Sequence, residues 1–101
     1  MAATEGLLAW LEAWYQSQAN GEWEHAYGIR VTTLDNPGWN LRVDLAHTAL
    51  EGKHLNPVRI ERSETDWLSC WVKDGGFEGA CGPANLEELL GEFRGFADRS
   101  D

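Results

Sequence analysis

The stretch from Gly21 to Trp39, GEWEHAYGIRVTTLDNPGW, constrains the fold more than any other part of the chain. Tyr27, Ile29, Val31 and Thr33 alternate with polar or small residues, the pattern of a strand with one buried face. Leu34-Asp35-Asn36-Pro37-Gly38-Trp39 closes that run. Pro37 fixes φ near the value wanted at the second position of a β-turn, and Gly38 tolerates the positive φ of a type II turn's third position. Trp39 then restarts the alternation with Leu41, Val43 and Leu45. The stretch predicts a hairpin with strands near 27–34 and 39–46, its turn made by Pro37 and Gly38.

Helices are expected on either side of the strands. Leu7, Leu8, Leu11, Trp14 and Tyr15 recur at helical spacing, widened by Trp10, and predict a helix over about residues 5–18. Thr4 is its expected N-cap, and Asn20-Gly21 its stop. At the other end, Leu86, Leu89, Leu90, Phe93 and Phe96 form a second stripe. Asn85 followed three residues later by Glu88 is a capping-box arrangement, and Glu87 and Glu88 suit the positive end of the helix dipole. Gly91 and Gly95 weaken a helix interior, and close approach to the sheet is the expected reason for them.

Between the hairpin and this last helix, further strands are expected at Val58–Arg62, Trp67–Lys73 and Phe77–Ala80. Asn56-Pro57, Glu64-Thr65 and Asp74-Gly75-Gly76 punctuate them. The chain of 101 residues is expected to form one domain. Its class is α+β: an antiparallel four- or five-stranded sheet with an N-terminal and a C-terminal helix packed on one face. Ile29, Val31, Leu41, Val43, Val58, Ile60, Leu68, Cys70 and Val72 point inward by alternation. Trp67 and Trp71 fall out of phase, on a face expected to be wet. An arginine stacked on them, a partner surface, or a register flipped to put both inside would each account for this.

The net charge is −9 and unevenly spread. Residues 1–26 contain Glu5, Glu12, Glu22 and Glu24 with no Lys or Arg, and residues 74–101 hold seven acids against Arg94 and Arg99. Residues 27–73 hold six acids and six bases. Such a field repels nucleic acid and speeds encounter with a basic partner, although solubility alone also accounts for it. The first basic residue is Arg30, so the basic segment of a signal peptide is missing. No apolar run reaches the ~20 residues of a membrane span. Cys70 and Cys81 form neither a metal-site spacing nor a disulfide framework. A cytoplasmic setting is therefore expected.

Few residues suggest catalysis. His25 beside Glu22 and Glu24 could be a base with an orienting acid, but hydrogen bonds to loop backbone are the simpler role. His47 and His54 are seven residues apart, not the four that place two ligands on one helix face. Cys81 precedes a helix start, where a thiolate is stabilised, but no His lies near it in sequence. Neither a phosphate loop nor a nucleophile elbow is present, and no cofactor is implied. Arg30, Arg42, Arg59 and Lys73 with Trp67 and Trp71 have the parts of a single-strand nucleic-acid platform, which Asp44, Glu61 and the net charge oppose.

The ordered set Trp14-Tyr15, Trp23-Glu24-His25, Tyr27-Gly28, Leu34-Asp35-Asn36-Pro37-Gly38-Trp39, Asp66-Trp67, Gly82-Pro83 and Asn85-Leu86 resembles the immunity protein 53 family of bacterial polymorphic toxin systems. Ala19, Glu22 and Cys81 depart from that family's usual Cys, Asp and Gly. The resemblance implies a protein that binds and neutralises a cognate toxin stoichiometrically, without catalysis. An acidic inhibitor suits a basic toxin such as a nuclease. Candidate toxin-binding residues are Glu22, Glu24, His25, Asp35, Asn36, Asp66, Trp67 and Trp71, acids at turns and rings out of phase with the core. A small enzyme using His25 or Cys81, or a nucleic-acid-binding sheet, are the alternatives.

Overall fold

The computed structural model describes residues 6–99. Its elements run α1 (Leu7–Gln18), α2 (Trp23–Ala26), β1 (Ile29–Leu34), β2 (Gly38–Asp44), β3 (Val58–Glu61), β4 (Trp67–Lys73), β5 (Gly76–Cys81) and α3 (Leu86–Asp98). The strands form one antiparallel sheet in the order β1-β2-β5-β4-β3. After the β1–β2 hairpin the chain crosses to the far edge, and β3, β4 and β5 return strand by strand until β5 pairs with β2. The expected α+β class and the helices on one face are what is found. The expected cap Thr4 lies outside the described residues.

The inward face follows the alternation. Leu41, Val43, Leu68, Cys70 and Phe77 are fully buried, as are Leu89 and Phe93 of the helix above them. Each large apolar side chain removed from water in this way is worth ~1.5–3 kcal/mol. Phe93 packs against Phe77 and stands edge-on to Trp10 and Trp14, which ties α1 to α3 and α3 to β5. Val31 is on this face by register, opposite Leu41, yet is 41% exposed because the helices leave that margin of the sheet uncovered.

Four expectations change. Gly38 is not at a turn position with positive φ. It is the first residue of β2, paired with Leu34, and Asp35, Asn36 and Pro37 alone make the loop. A glycine is needed there for a different reason: a Cβ would collide with the Cys81 carbonyl oxygen on the neighbouring strand. Positive φ occurs instead at Asp74 and Gly75, the two-residue turn that the twist of the β4–β5 hairpin favours. The junction after Gly21 holds a short helix, α2, that alternation does not reveal.

The Asn85 side chain makes no capping bond to α3, because it is used elsewhere, as described below. Lastly, Gly91 and Gly95 do not let α3 approach the sheet. A Cβ at Gly95 would meet nothing within 4 Å, and one at Gly91 only Leu7. The close approach is at Gly79 of β5, where a Cβ would stand 2.6 Å from Leu89 Cδ1.

Candidate functional site

The candidate residues divide between the two ends of the sheet. Glu22, Glu24 and His25 belong to the α2 corner, where β1 begins and β2 ends. The Asn20 side-chain oxygen accepts from the backbone N–H groups of Glu22 and Trp23, both at 3.0 Å. The Glu24 carboxylate accepts from the N–H groups of Asn20 and Gly21 at 3.0 and 2.9 Å. Its own backbone N–H together with these two donors holds that carboxyl below its ordinary range. Trp23 is buried, donates its indole N–H to Ala46 at 3.0 Å, and sits edge-on to Trp14 and Tyr15. Glu24 therefore closes the loop backbone, while Glu22 and His25 are exposed beside it.

Asp35 and Asn36 are exposed in the β1–β2 loop. The six residues of β1 separate them from α2 by about 20 Å. At their end of the sheet lies a second closed corner. The Arg62 guanidinium bonds Asp66 at 2.8 Å and Glu88 at 3.1 and 2.5 Å. The Asn85 amide donates to Asp66 at 2.9 Å and to Glu88 at 3.1 Å, and its oxygen accepts from the Trp67 N–H at 3.3 Å. This is why the expected capping box is not formed: both of its side chains bind the β3–β4 loop instead.

Bonds from Asn85 and then Arg62 hold the Asp66 carboxyl below its ordinary range, and bonds from Arg62 and then Asn85 do the same for Glu88. Gly82 allows the approach, since a Cβ there would strike the Thr65 carbonyl oxygen. Trp39 donates its indole N–H to Pro83 at 3.0 Å and closes the same corner from β2.

Trp67 and Trp71 are on the outward face. The register is not flipped, since Leu68 and Cys70 between them are fully buried while both rings are half-buried. Among the described residues no arginine or lysine stacks on either ring; the cation–π pairs involve Trp10 and Phe96. Trp71 is instead tied to a chain of polar groups that crosses four strands. Its indole N–H donates to Glu78 at 3.1 Å, Glu78 pairs with Arg42, and Arg42 bonds Asp44 at 3.1 Å. Asp44 meets Arg30 at 3.9 Å and accepts from the Gly28 N–H at 2.9 Å.

The Arg42 guanidinium lies across Gly76, where a Cβ would be 2.6 Å from its Cζ. Arg30, Arg42, Asp44 and Trp71 were each legible as outward-facing from the alternation. That Glu78 joins them needs the pairing of β5 with both β2 and β4, which the sequence does not supply.

The groups that could do chemistry are kept apart. Cys70 and Cys81 are free and buried, and burial pushes the Cys70 thiol up to about 12 and raises that of Cys81 as well. Cys81 ends β5 instead of facing a helix terminus, so the thiolate-stabilising position expected for it is not realised. No cluster of three His, Cys, Asp or Glu among the described residues could hold a metal. No described helix is long and apolar enough to cross a membrane. A recess of about 830 Å³ lies between α3 and the segment before β3, lined by His54, Asn56, Glu92 and Phe96 among others, and contains none of the candidate residues.

Residues 8–98 match the immunity protein 53 family. The chain belongs to that family. No curated protein and no solved structure matches it. The family implies an immunity protein whose partner is a toxin. In this immunity protein, many of the residues that carry the resemblance close the two corners: Trp23 and Glu24 at one, Trp39, Asp66, Gly82 and Asn85 at the other. They hold loops in shape more than they present free side chains.

Proposed function

We propose that this immunity protein acts in the cytoplasm as a stoichiometric, non-catalytic inhibitor of a cognate toxin. The observation that carries the reading is membership of the immunity protein 53 family across nearly the whole chain, residues 8–98. The neutral, buried thiols favour occlusion over turnover. The net charge of −9 suits a basic target such as a nuclease, and disfavours direct binding of nucleic acid.

Toxin contact is assigned to the candidate residues in two roles. Glu22, His25, Asp35, Asn36, Trp67 and Trp71 present side chains to the partner. Glu24 and Asp66 act by fixing the loops that carry their neighbours.

Co-expression with the toxin encoded beside the gene tests the function. Growth should be rescued, and purified toxin should be fully inhibited at about one equivalent. Cys81→Ser should protect cells as the natural protein does, and His25→Ala should still protect at concentrations where it remains bound to the toxin. Protection at a small fraction of an equivalent, or loss of protection by either variant while it remains folded and bound, would establish an enzymatic activity instead.

A further inference from the structure

The two edges of an antiparallel sheet carry backbone groups that no strand satisfies. In the β1–β2 ladder, Asp44 donates to the Gly28 carbonyl at 3.0 Å. Hydrogen-bonded pairs alternate along an antiparallel ladder, so Arg30, Thr32 and Leu34 bond β2 in turn, opposite Arg42, Asn40 and Gly38. The N–H and C=O groups of Ile29, Val31 and Thr33 therefore face outward from the sheet edge. All three side chains are uncharged and lie on the inward face, at the margin the helices leave bare.

A groove of about 460 Å³ runs between this margin and α1, lined by Leu11, Glu12, Tyr15, Tyr27 and Ile29. The large hydrophobic side chains most exposed among the described residues are Leu8, Tyr15 and Val31, at 64%, 40% and 41%. Leu8, Glu12 and Tyr15 share one face of α1, being four and three residues apart. An open strand edge and an apolar groove thus lie side by side.

We infer that β1 and this groove receive an extended segment of the toxin, which adds a sixth strand to the sheet beside β1. The inference rests on the reading of the chain as a toxin-binding protein. Backbone bonds to Ile29, Val31 and Thr33 supply the pairing, and alternate apolar side chains of the segment enter the groove. Charge selects the occupant. Residues 6–26 carry Glu12, Glu22 and Glu24 and no Lys or Arg, so a segment with basic residues next to its apolar ones is attracted. A second copy of this chain would bring like charge to like.

The test uses the full chain and the purified toxin domain encoded beside its gene. Val31→Pro removes an N–H that makes no ladder bond, a change that edge strands tolerate. Val31→Lys keeps the backbone and places a charge on the exposed margin of the sheet at the open edge. Either should weaken binding by about 30-fold, as a hot spot of ~2 kcal/mol does. Hydrogen exchange should slow at the Ile29, Val31 and Thr33 amides of the natural protein in the complex. Glu12→Lys should slow association.

Unaltered binding by both folded Val31 variants, with those amides still exchanging freely, overturns the inference and leaves toxin binding intact on another face. Failure of the natural protein itself to bind overturns the functional reading and this inference together. A dimer of the natural protein in sedimentation that Val31→Pro dissociates would make a second copy the occupant and also overturn it.

Discussion

The edges of this sheet are treated in opposite ways. β3 is four residues long and is preceded by Pro57, which has no N–H to offer. Its outward backbone groups belong to Arg59 and Glu61, whose side chains pair with each other at 2.8 Å. The loop leaving it is fastened to α3 through Arg62, Asp66, Glu88 and Asn85. Short length, proline and charge are the devices that keep edges from pairing. β1 has none of these at its outward positions: it is six residues long and presents Ile29, Val31 and Thr33. Protection against strand addition is therefore confined to one side, and the side without it is the one beside an apolar groove. An edge left open in an otherwise protected sheet marks where a partner strand would add.

Gly82→Ala should have the largest effect on this contrast. It drives a Cβ into the Thr65 carbonyl and should cost about 3 kcal/mol in urea denaturation, the upper part of the usual overpacking range. Asn85→Ala comes next. Asn85 is 7% exposed and bonds Asp66, Glu88 and the Trp67 N–H, so removing it should cost about 2 kcal/mol. Hydrogen exchange should locate the loss in both variants at the β3–β4 loop and leave β1 unchanged. Equal loosening of both edges would show that the corner does not protect β3 in particular.

Acid should act on the β3 side in the same direction, by a smaller amount. Asp66 and Glu88 have folded pKa values below their ordinary 3.8 and 4.5. Their contribution is complete above those ordinary values and is lost as pH falls through the depressed ones. Amides of residues 62–66 should therefore lose protection below about pH 4, unless Arg62→Met has already removed it. The smallest effect is expected at β1. Val31→Lys should change stability by no more than about 0.5 kcal/mol, as surface substitutions do, while it weakens toxin binding by about 30-fold. A large loss of stability there would mean that Val31 is part of the core.

The β1–β2 hairpin, the strand at Trp67–Lys73 and the stripe of α3 were legible because each depends on near neighbours: a period of 2, a period of 3.6, and turn residues at fixed offsets. The same local patterns put Leu41, Val43, Leu68 and Cys70 inside and set Trp67 and Trp71 out of phase with them, but only the structure decided that the register is not flipped and both rings face outward. The family was legible too, from short motifs in a fixed order.

Tertiary structure decided whatever depends on which strands become neighbours. Gly38 reads locally as a turn glycine, but Cys81 across the ladder is what excludes a side chain there. Asn85 and Glu88 read as a capping box, but Arg62 and Asp66, more than twenty residues earlier in the case of Arg62 and Glu88, compete for both and win because charge-assisted bonds are stronger than a neutral cap. The open edge at β1 was hidden for the same reason. A strand's sequence tells which of its faces is buried, but only the path of the chain, crossing after β2 to the far side before returning, decides that β1 ends the sheet and has no neighbour.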